Sequence, residues 1–522
     1  MEYIFALFVC LSLVISLSSA YRILAIFPVT GRSHFNVLEP IVKGLVEKGH
    51  KVDVISKFPL EKPSASDTDT FTSPIIHSRK SFHYEHLRSR FYSIEFLHEY
   101  LKSICENLGD PQLLEIIRNP PSDPPYDALI IRVAYGYQCF AAIGHLWNVP
   151  VISIVVSAPY PFELNAIMSP LNLAFSSKNL QNYKENMTFW DRLYNFVVTH
   201  YILLEYHYYA RVQDDIIKKY LGSNMPHYTQ LEKEVSLILT NSHLSLHGIQ
   251  PKSPAHIEIG GIHIQNNTSS MDVELRKILD GSENGFVYFS FGTFVVVESL
   301  PRVVLERFFA TFRKISPIRV IMKSKNPTAL PQNIPSNVFT LPWLPQQEVL
   351  QHPNIKGFLT HGGGLGSQEA VYYGVPVICV PFFVDQLVNC DIASEKGYGI
   401  KLNIEIARQE DYDSAIAKIL HDPSYKTAVK RLSMIYRDRP RKPKDEAVYW
   451  IEYVINHGKM ALRSASVSLS WWQVELYDIY AFVIAVLVLT IIIASLSIKY
   501  IVKALSSLRI HLSEQLYNKK VE

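Results

Sequence analysis

Residues 343–386 carry side chains whose types and spacing suit an anionic ligand. An apolar run that ends at Thr360 predicts a buried strand, and four of the six residues that follow it are glycines. Glycine lets the backbone approach a ligand closely, and residues 367–373 predict a helix whose free N–H groups and positive dipole end attract a phosphate. The sequence therefore predicts a strand–turn–helix anion site, with His361 at the start of the turn.

Side chains that can bind a planar ring and hydroxyl groups flank this turn. They are Trp343, Gln346, Glu369, Asp385 and Gln386. The alternative is a glycine-rich strand–helix turn in another kind of α/β protein, and any one of these residues alone would be compatible with it. The dinucleotide-binding fingerprint does not fit, because Ser367 or Glu369 stands where a third glycine is required. The combination of all five at this spacing favours a dedicated ligand site.

The complete set resembles the donor-binding signature of the UDP-glycosyltransferases, a family that conjugates small lipophilic molecules. By this resemblance, Trp343 stacks on uracil and Gln346 hydrogen-bonds the edge of the same base. Glu369 would hold the ribose hydroxyls, and Asp385 and Gln386 would hold those of the sugar. The UDP-sugar is then a co-substrate, so the resemblance implies no cofactor, and no acidic metal-binding motif indicates a metal.

The resemblance also implies contacts to the diphosphate. They come from His361, from the backbone beside Gly363 and Gly366, and from Thr293 in a Ser-Phe-Gly-Thr sequence that follows another predicted strand. The family often has Asn or Ser where this chain has Leu365 and Gly366. One side-chain contact to the phosphates is therefore missing, while the backbone N–H groups remain available.

A base is needed to take the proton of an acceptor hydroxyl as its oxygen attacks the sugar. His34 lies in the turn after the first predicted strand, where the family has its catalytic histidine. Histidine suits this role because its pKa lies near the working pH. A structural histidine is the alternative for a loop position, and the positional match favours the base.

The acid that orients this histidine in the family is replaced here by Arg132. A guanidinium cannot accept the N–H of the histidine and would lower its pKa. Asp127 lies five residues before Arg132, too far back on the strand to take the place of the missing acid. Loss of the orienting group of a triad costs about 10⁴-fold in rate. Three consequences stay open: slow transfer to hydroxyls, preference for thiols, amines or carboxylates, or binding without turnover.

Two series of alternating strands and helices position these residues. Predicted strands cover 22–27, 52–56, 128–133, 151–156, 286–290, 318–322, 355–360 and 375–380, with helices at 36–48 and 301–315. This alternation predicts α/β domains with parallel sheets. The resemblance implies the GT-B architecture, with an acceptor domain at 21–243, a linker at 244–283 and a UDP-sugar domain at 284–470. In such sheets the ligand lies at the carboxyl ends of the strands.

Both termini carry membrane and sorting signals. Residues 1–20 resemble a signal peptide, with an uncleaved anchor as the alternative. Residues 479–498 are apolar and uncharged over the length of a membrane span, although a buried core helix has the same composition. Lysine and arginine after this segment place the tail at 499–522 in the cytosol, giving a single-pass type I protein with its domains in the lumen.

The chain ends in a dilysine pattern at Lys519 and Lys520 that resembles a retrieval signal of the endoplasmic reticulum. Glycosylation sequons begin at Asn186, Asn266 and Asn267 and agree with a lumenal location. A chance pair of lysines in a basic tail is the alternative for the first signal. The sequence therefore predicts a membrane protein of the endoplasmic reticulum.

The composition of the chain limits the classes of binding partner. The net charge of +3 is uninformative, and basic residues are not interleaved with aromatics, which argues against nucleic acid. Aromatic-rich segments at 67–100 and 189–210 could line an acceptor pocket, contact membrane lipid or pack in a core. Cys139 and Cys379 lie in apolar segments, and we expect buried thiols there. Homo- or hetero-oligomers are compatible with the sequence.

Two functions follow from these residues. The first is inverting transfer of a hexose, glucose by resemblance to the insect branch, from a UDP-sugar to a small lipophilic acceptor in the endoplasmic reticulum, as in detoxification. The second is a non-catalytic protein that binds lipophiles and UDP-sugar, which only Arg132 favours. His34 and the Asp385–Gln386 pair favour the enzyme.

Overall fold

The fold is described from a computed structural model of the 522-residue chain. It describes residues 20–28, 31–58, 60, 70–72, 99, 102–132, 138–175, 184, 186–265, 271–293 and 295–521. Residues 1–19 of the predicted signal peptide, Asn266, Asn267 and nearly all of the first aromatic segment lie outside the described residues. Asn186 is exposed on the surface.

Thirteen strands form two parallel sheets in the described residues. The first sheet contains β1 (Arg22–Phe27), β2 (Lys51–Ser56), β3 (Thr70–Thr72), β4 (Ala128–Arg132), β5 (Val151–Val155), β6 (Val235–Thr240) and β7 (His256–Glu258). The second contains β8 (Phe286–Ser290), β9 (Arg319–Lys323), β10 (Val338–Leu341), β11 (Ile355–Thr360), β12 (Val377–Cys379) and β13 (Gly399–Lys401).

The helices of the first half and of the segment that follows it are α1 (Arg32–Glu47), α2 (Pro111–Arg118), α3 (Ala141–Trp147), α4 (Pro161–Ala166), α5 (Phe189–Ala210), α6 (Val212–Leu221), α7 (Tyr228–Glu232), α8 (Leu244–His247) and α9 (Val273–Asp280). Those of the second half are α10 (Arg302–Lys314), α11 (Gln346–Gln351), α12 (Gly364–Tyr372), α13 (Asp385–Glu395), α14 (Gln409–His421), α15 (Pro423–Arg437) and α16 (Pro443–His457). Two more, α17 (Trp471–Val474) and α18 (Tyr477–Val521), follow.

Both sheets have the doubly wound strand order. The first reads β3-β2-β1-β4-β5-β6-β7 and the second β10-β9-β8-β11-β12-β13, so the chain reverses direction across the sheet between β1 and β4 and between β8 and β11. In such sheets a ligand binds at these switch points, outside the carboxyl ends of the strands. The predicted α/β class with two Rossmann-like halves is confirmed.

Each half has its own apolar core. Strand residues such as Ile130 in the first half and Phe289 in the second are fully buried, as expected for parallel strands covered on both faces. The chain then returns to the first half, because Val448 and Ile451 of α16 pack in the first core. Strand β7 likewise belongs to the first sheet although it lies in the range assigned to the linker.

Two helices begin earlier than the sequence indicates. Helix α1 starts at Arg32 because Gly31 has an extended backbone that can cap it, so His34 lies in the first turn of the helix and its N–H donates to Gly31 O at 3.1 Å. Helix α12 starts at Gly364, so Gly366 is part of its first turn. Both candidate site loops are therefore shorter than expected, and their residues are held by helix geometry.

The expectation of buried thiols is wrong. Cys105 pairs with Cys139 and Cys379 with Cys390 in two disulfides, with Cα–Cα distances of 6.0 and 5.5 Å. The cysteines are indeed buried. Their pairing depends on tertiary approach across 34 and 11 residues, which apolar flanks do not reveal.

The chain divides into two compact units, 1–463 and 464–522. The second unit contains α18, in which Tyr477–Leu516 is long and apolar enough to span a membrane, and an 18-residue window within it has a mean hydropathy of 2.9. Within its own unit the apolar part of this helix is not buried, which agrees with a candidate membrane span. The predicted span at 479–498 lies within this helix.

Candidate functional site

The carboxyl ends of β8 and β11 bring together the residues predicted to meet a diphosphate. His361 follows β11, and Gly292 and Thr293 follow β8. A Cβ atom added to Gly292 would lie 2.8 Å from the His361 ring, and one added to Gly363 would lie 2.5 Å from it. Only glycine therefore fits on either side of this imidazole, and the two loops close around it.

The His361 ring is held neutral. Burial, and then the charge of Lys323, lower its pKa to about 4. Its Nδ1 atom is buried without a hydrogen-bond partner in the described structure. A neutral imidazole has one N–H donor, so His361 can donate to a phosphate oxygen near neutral pH.

Helix α12 begins at the glycine turn, residues 361–363, which follows β11. Its N-cap residue is Gly363, which has no side chain of its own to cap the helix, and Asp385 accepts from the first N–H group, that of Gly364. The positive φ of +77° at Gly362 turns the chain from β11 into this helix, a conformation that favours glycine. The start of α12 therefore has the geometry of an anion site.

The predicted uracil and ribose residues lie in direct contact. Gln346 Nε2 donates to Glu369 Oε2 at 2.6 Å, and Gln347 Nε2 donates to the other carboxylate oxygen at 3.3 Å. Tyr288 donates its hydroxyl proton to Gln346 Oε1 at 3.3 Å. His263 Nε2 is 3.4 Å from Glu369 Oε1. The carboxylate thus has neighbours from two segments of the chain, and Tyr288 holds one of them, Gln346, in place.

Trp343 offers a flat surface to a ligand. Its side chain is 62% exposed although it borders the site. Lys323, at the end of β9, places Nζ 4.3 Å from the centre of the indole ring and donates to Gly292 O at 3.0 Å. This cation–π contact orients the indole. Lys323 was not predicted as a site residue, since its only signal in the sequence is a lysine next to a predicted buried strand.

The predicted sugar residues begin α13. Asp385 accepts a hydrogen bond from the backbone N–H of Gly364, and burial raises its pKa to about 6. Asn389 Nδ2 donates to Asp385 Oδ2 at 3.1 Å and to Gly362 O at 2.8 Å. Gln386 Oε1 accepts from two backbone N–H groups before the helix. The start of α13 is thus tied to the glycine turn.

The predicted catalytic residues lie at the switch point of the first sheet. Arg132 is the last residue of β4 and is buried, and His34 is half-buried in α1. Burial, and then the positive charge of Arg132, hold the pKa of His34 well below its usual value. The positive end of α1 acts in the same direction. His34 is therefore neutral at pH 7, as a base must be, but its imidazolium form is disfavoured.

Comparison with known proteins agrees with this arrangement. The family model "UDP-glucoronosyl and UDP-glucosyl transferase" matches residues 22–509. UDP-glucosyltransferase 2 of Dactylopius coccus is 32% identical over 97% of both chains. UDP-glucuronosyltransferase 1A9 of Mus musculus is 28% identical over 93% of this chain and 92% of its own.

Solved glycosyltransferases share the fold. The kitacinnamycin glycotransferase matches 83% of this chain and 99% of its own, with a TM-score of 0.55 at 15% identity. SnogD from Streptomyces nogalater matches 83% of this chain and all of its own, with a TM-score of 0.53 at 16% identity. The fold is GT-B with one C-terminal candidate span, and the chain belongs to the UDP-glucuronosyl and UDP-glucosyl transferase family, whose members transfer a sugar from a UDP-sugar donor to an acceptor.

Proposed function

We propose that this transferase moves glucose from UDP-glucose to a small lipophilic acceptor, with inversion at the anomeric carbon. The observation that carries the proposal is the pairing of a neutral His34 at one sheet edge with a glycine-lined helix start and a neutral His361 at the other. A relative named UDP-glucosyltransferase 2 supports glucose as the sugar.

The reaction is a single displacement. The acceptor oxygen forms a bond to the anomeric carbon, the bond from that carbon to the UDP oxygen breaks, and the acceptor proton passes to His34. Charge grows on the departing diphosphate, where the start of α12 and the His361 N–H can stabilise it. Such preorganised stabilisation is usually the largest catalytic contribution. No step needs a metal or a cofactor.

We propose that the preferred acceptor is acidic, a carboxylate or an acidic phenol. Arg132 is buried beside His34 and lowers its pKa. An imidazolium beside a guanidinium is disfavoured, so an acceptor with a tightly held proton is a poor substrate. An anionic acceptor needs no proton removal, and Arg132 can pair with it.

A second candidate function is binding without turnover. Arg132 supports it, because no carboxylate is available at that position to stabilise the imidazolium. In this case the donor half would bind UDP-sugar and the first half would bind a lipophile.

A series of para-substituted phenols and matched benzoates tests these proposals. Membranes containing the native chain or Arg132→Asp would be supplied with UDP-glucose or UDP-glucuronic acid. We expect transfer of glucose, and a steeper fall of kcat/KM with rising phenol pKa in the native chain than in Arg132→Asp. Equal slopes would refute the proposal that the preferred acceptor is acidic. A preference for UDP-glucuronic acid would refute the proposal that glucose is the sugar transferred.

We propose an endoplasmic-reticulum location with the sugar-transfer domains in the lumen. The support is the candidate span in α18, the basic residues that follow it and the exposed sequon at Asn186. The dilysine pattern at residues 519–520 and the sequence of residues 1–20 give further support.

We also propose that α5 lies on the membrane. Its buried residues, Asn195, Thr199, Tyr206 and Ala210, form one stripe. Its opposite face exposes Trp190, Val197, Tyr201, Leu204 and Tyr208, between 55 and 73% each. Large aromatic and aliphatic side chains on one helix face suit the interfacial region of a bilayer. A bilayer is the occupant we favour because the same chain carries a candidate span that would hold it at a membrane.

A further inference from the structure

The disulfide between Cys379 and Cys390 closes the loop that carries the sugar-contact pair. Cys379 ends β12 and Cys390 lies in the second turn of α13, with Asp385 and Gln386 between them. Both cysteines are fully buried. The cross-link therefore joins the strand that leads into the sugar segment to the helix that leads out of it.

The same disulfide supports the glycine turn of the donor site. A Cβ atom on Gly362 would lie 2.5 Å from Cys390 Sγ and 2.7 Å from Cys379 Sγ. The two sulfur atoms thus fill the space directly against this turn. Asn389, the neighbour of Cys390, donates to Gly362 O at 2.8 Å. Movement of α13 would displace Asp385, which belongs to this helix, whereas the turn stays anchored between β11 and α12.

The loop inside the cross-link holds a strained residue. Val384, directly before Asp385, has a φ of +52° and a ψ of −125°. A β-branched residue rarely adopts such a conformation, which persists only where the surrounding structure fixes it. Gln386 Oε1 accepts from the N–H groups of Phe382 and Phe383 at 2.9 and 3.3 Å. The disulfide and this side chain together fix the loop.

We propose that the Cys379–Cys390 disulfide is a positioning device for the sugar half of the donor site, and that its reduction weakens recognition of the sugar selectively. The inference rests on the proposed function. In the reduction, an external dithiol gives two electrons and two protons to the two Sγ atoms, the S–S bond breaks, and the dithiol becomes a disulfide. Val384 can then relax and carry Asp385 away from its position beside Gly364.

The second disulfide provides a matched control. Cys105–Cys139 lies in the first core, where the backbone N–H of Cys139 donates to Gln213 Oε1 at 2.8 Å. Its removal deletes a buried cross-link without touching the sugar segment. Removal of either disulfide would lower the stability of the protein. Only removal of the Cys379–Cys390 disulfide is expected to weaken sugar recognition selectively.

The experiment compares the full chain with Cys379→Ala/Cys390→Ala and Cys105→Ala/Cys139→Ala variants in membranes. We expect the first variant to lose about 10- to 100-fold in kcat/KM for UDP-glucose, the scale expected for a displacement of about 1 Å at a reacting group. Inhibition by UDP, which lacks the sugar, should change less than about twofold, since the lost contacts are made by the sugar. The control variant should retain both values.

Reductant gives an independent readout. In the Cys105→Ala/Cys139→Ala variant, dithiothreitol should raise the KM for UDP-glucose reversibly and leave inhibition by UDP unchanged, even if the other variant fails to fold. Parallel loss of UDP and UDP-glucose affinity, or no response to reductant, would overturn the inference. The affinity for UDP-glucose, measured by calorimetry, tests the inference even if the proposed reaction does not occur, because binding does not require turnover.

Discussion

His34 and Arg132 set the chemistry at the scale of single residues. A carboxylate beside the histidine would stabilise its protonated form, whereas the guanidinium of Arg132 lowers the pKa of His34 further after burial has already lowered it. The base is thus fully available at neutral pH but weak. This explains why we expect acceptors that release a proton easily.

The pH dependence of transfer follows from the lowered pKa of His34. A base works when it is unprotonated. The ordinary pKa of histidine is about 6.5, so native kcat/KM should fall only at a pH well below that value. Arg132→Gln removes the positive charge, raises the pKa of His34 and should move this acid limb to higher pH. The measurement is kcat/KM against pH with a phenol that stays protonated throughout the range, because an ionised phenol needs no base. An unchanged limb would mean that His34 is not the titrating base.

The donor signature could be predicted from the sequence because each residue of it lies close in the chain to a strand end or a helix start. Gln346 and Glu369 are hydrogen-bonded to each other, as that pattern indicates. Lys323 and the Cys379–Cys390 pair were not predictable in this way. Their partners are brought together by the packing of β9, β12 and α13, which chain spacing does not encode.

At the scale of elements, the strands inside the sheets were predictable and the short edge strands of the second sheet were not. β1, β8 and β11 match their predicted bounds, since their apolar residues form continuous runs. β10 and β13 are only four and three residues long, lie at the edges of the second sheet and are partly exposed. A short edge strand has too few buried residues to give a recognisable pattern.

Helix α5 gives a prediction at this scale. We expect its outward face to enter the lipid interface when the full chain is placed in nanodiscs whose lipids carry a photoreactive acyl chain. Adducts mapped by mass spectrometry should fall on residues 190–208 as well as on α18, and Leu204→Glu should reduce those on α5. Helix α14, which is solvated on one face, is the control. Adducts confined to α18, or contacts between two copies through α5, would refute the lipid contact.

At the scale of the whole molecule, one buried side chain links the two halves. Gln368 of α12 donates to Asn241 O, just after β6, at 2.7 Å, and its Oε1 accepts from Gly261 N–H at 2.7 Å and from the Tyr436 hydroxyl at 2.8 Å. Glu369 is the next residue of the same helix. A residue that links the two halves is therefore adjacent to the predicted ribose contact.

Loss of this link should lower the stability of the whole protein. Gln368→Ala leaves buried polar partners unsatisfied, each worth about 1–3 kcal/mol, so we expect a fall in Tm of several degrees or more. Thermal unfolding of the purified full chain would measure it. Gln351→Ala, at the exposed end of α11, is the matched control and should change Tm little. A Tm shift no larger than that of the control would show that Gln368 does not join the halves.

The role of His34 is tested by the initial rate of glucose transfer from UDP-glucose to one phenol that is still protonated at the assay pH, compared for the native chain, His34→Ala and Arg132→Asp. Removal of a general base costs about 10²- to 10⁴-fold. We predict that the native chain turns over and that His34→Ala loses activity on this scale. A silent native chain that gains transfer on Arg132→Asp would contradict the account and identify the natural protein as one that binds its ligands without turnover.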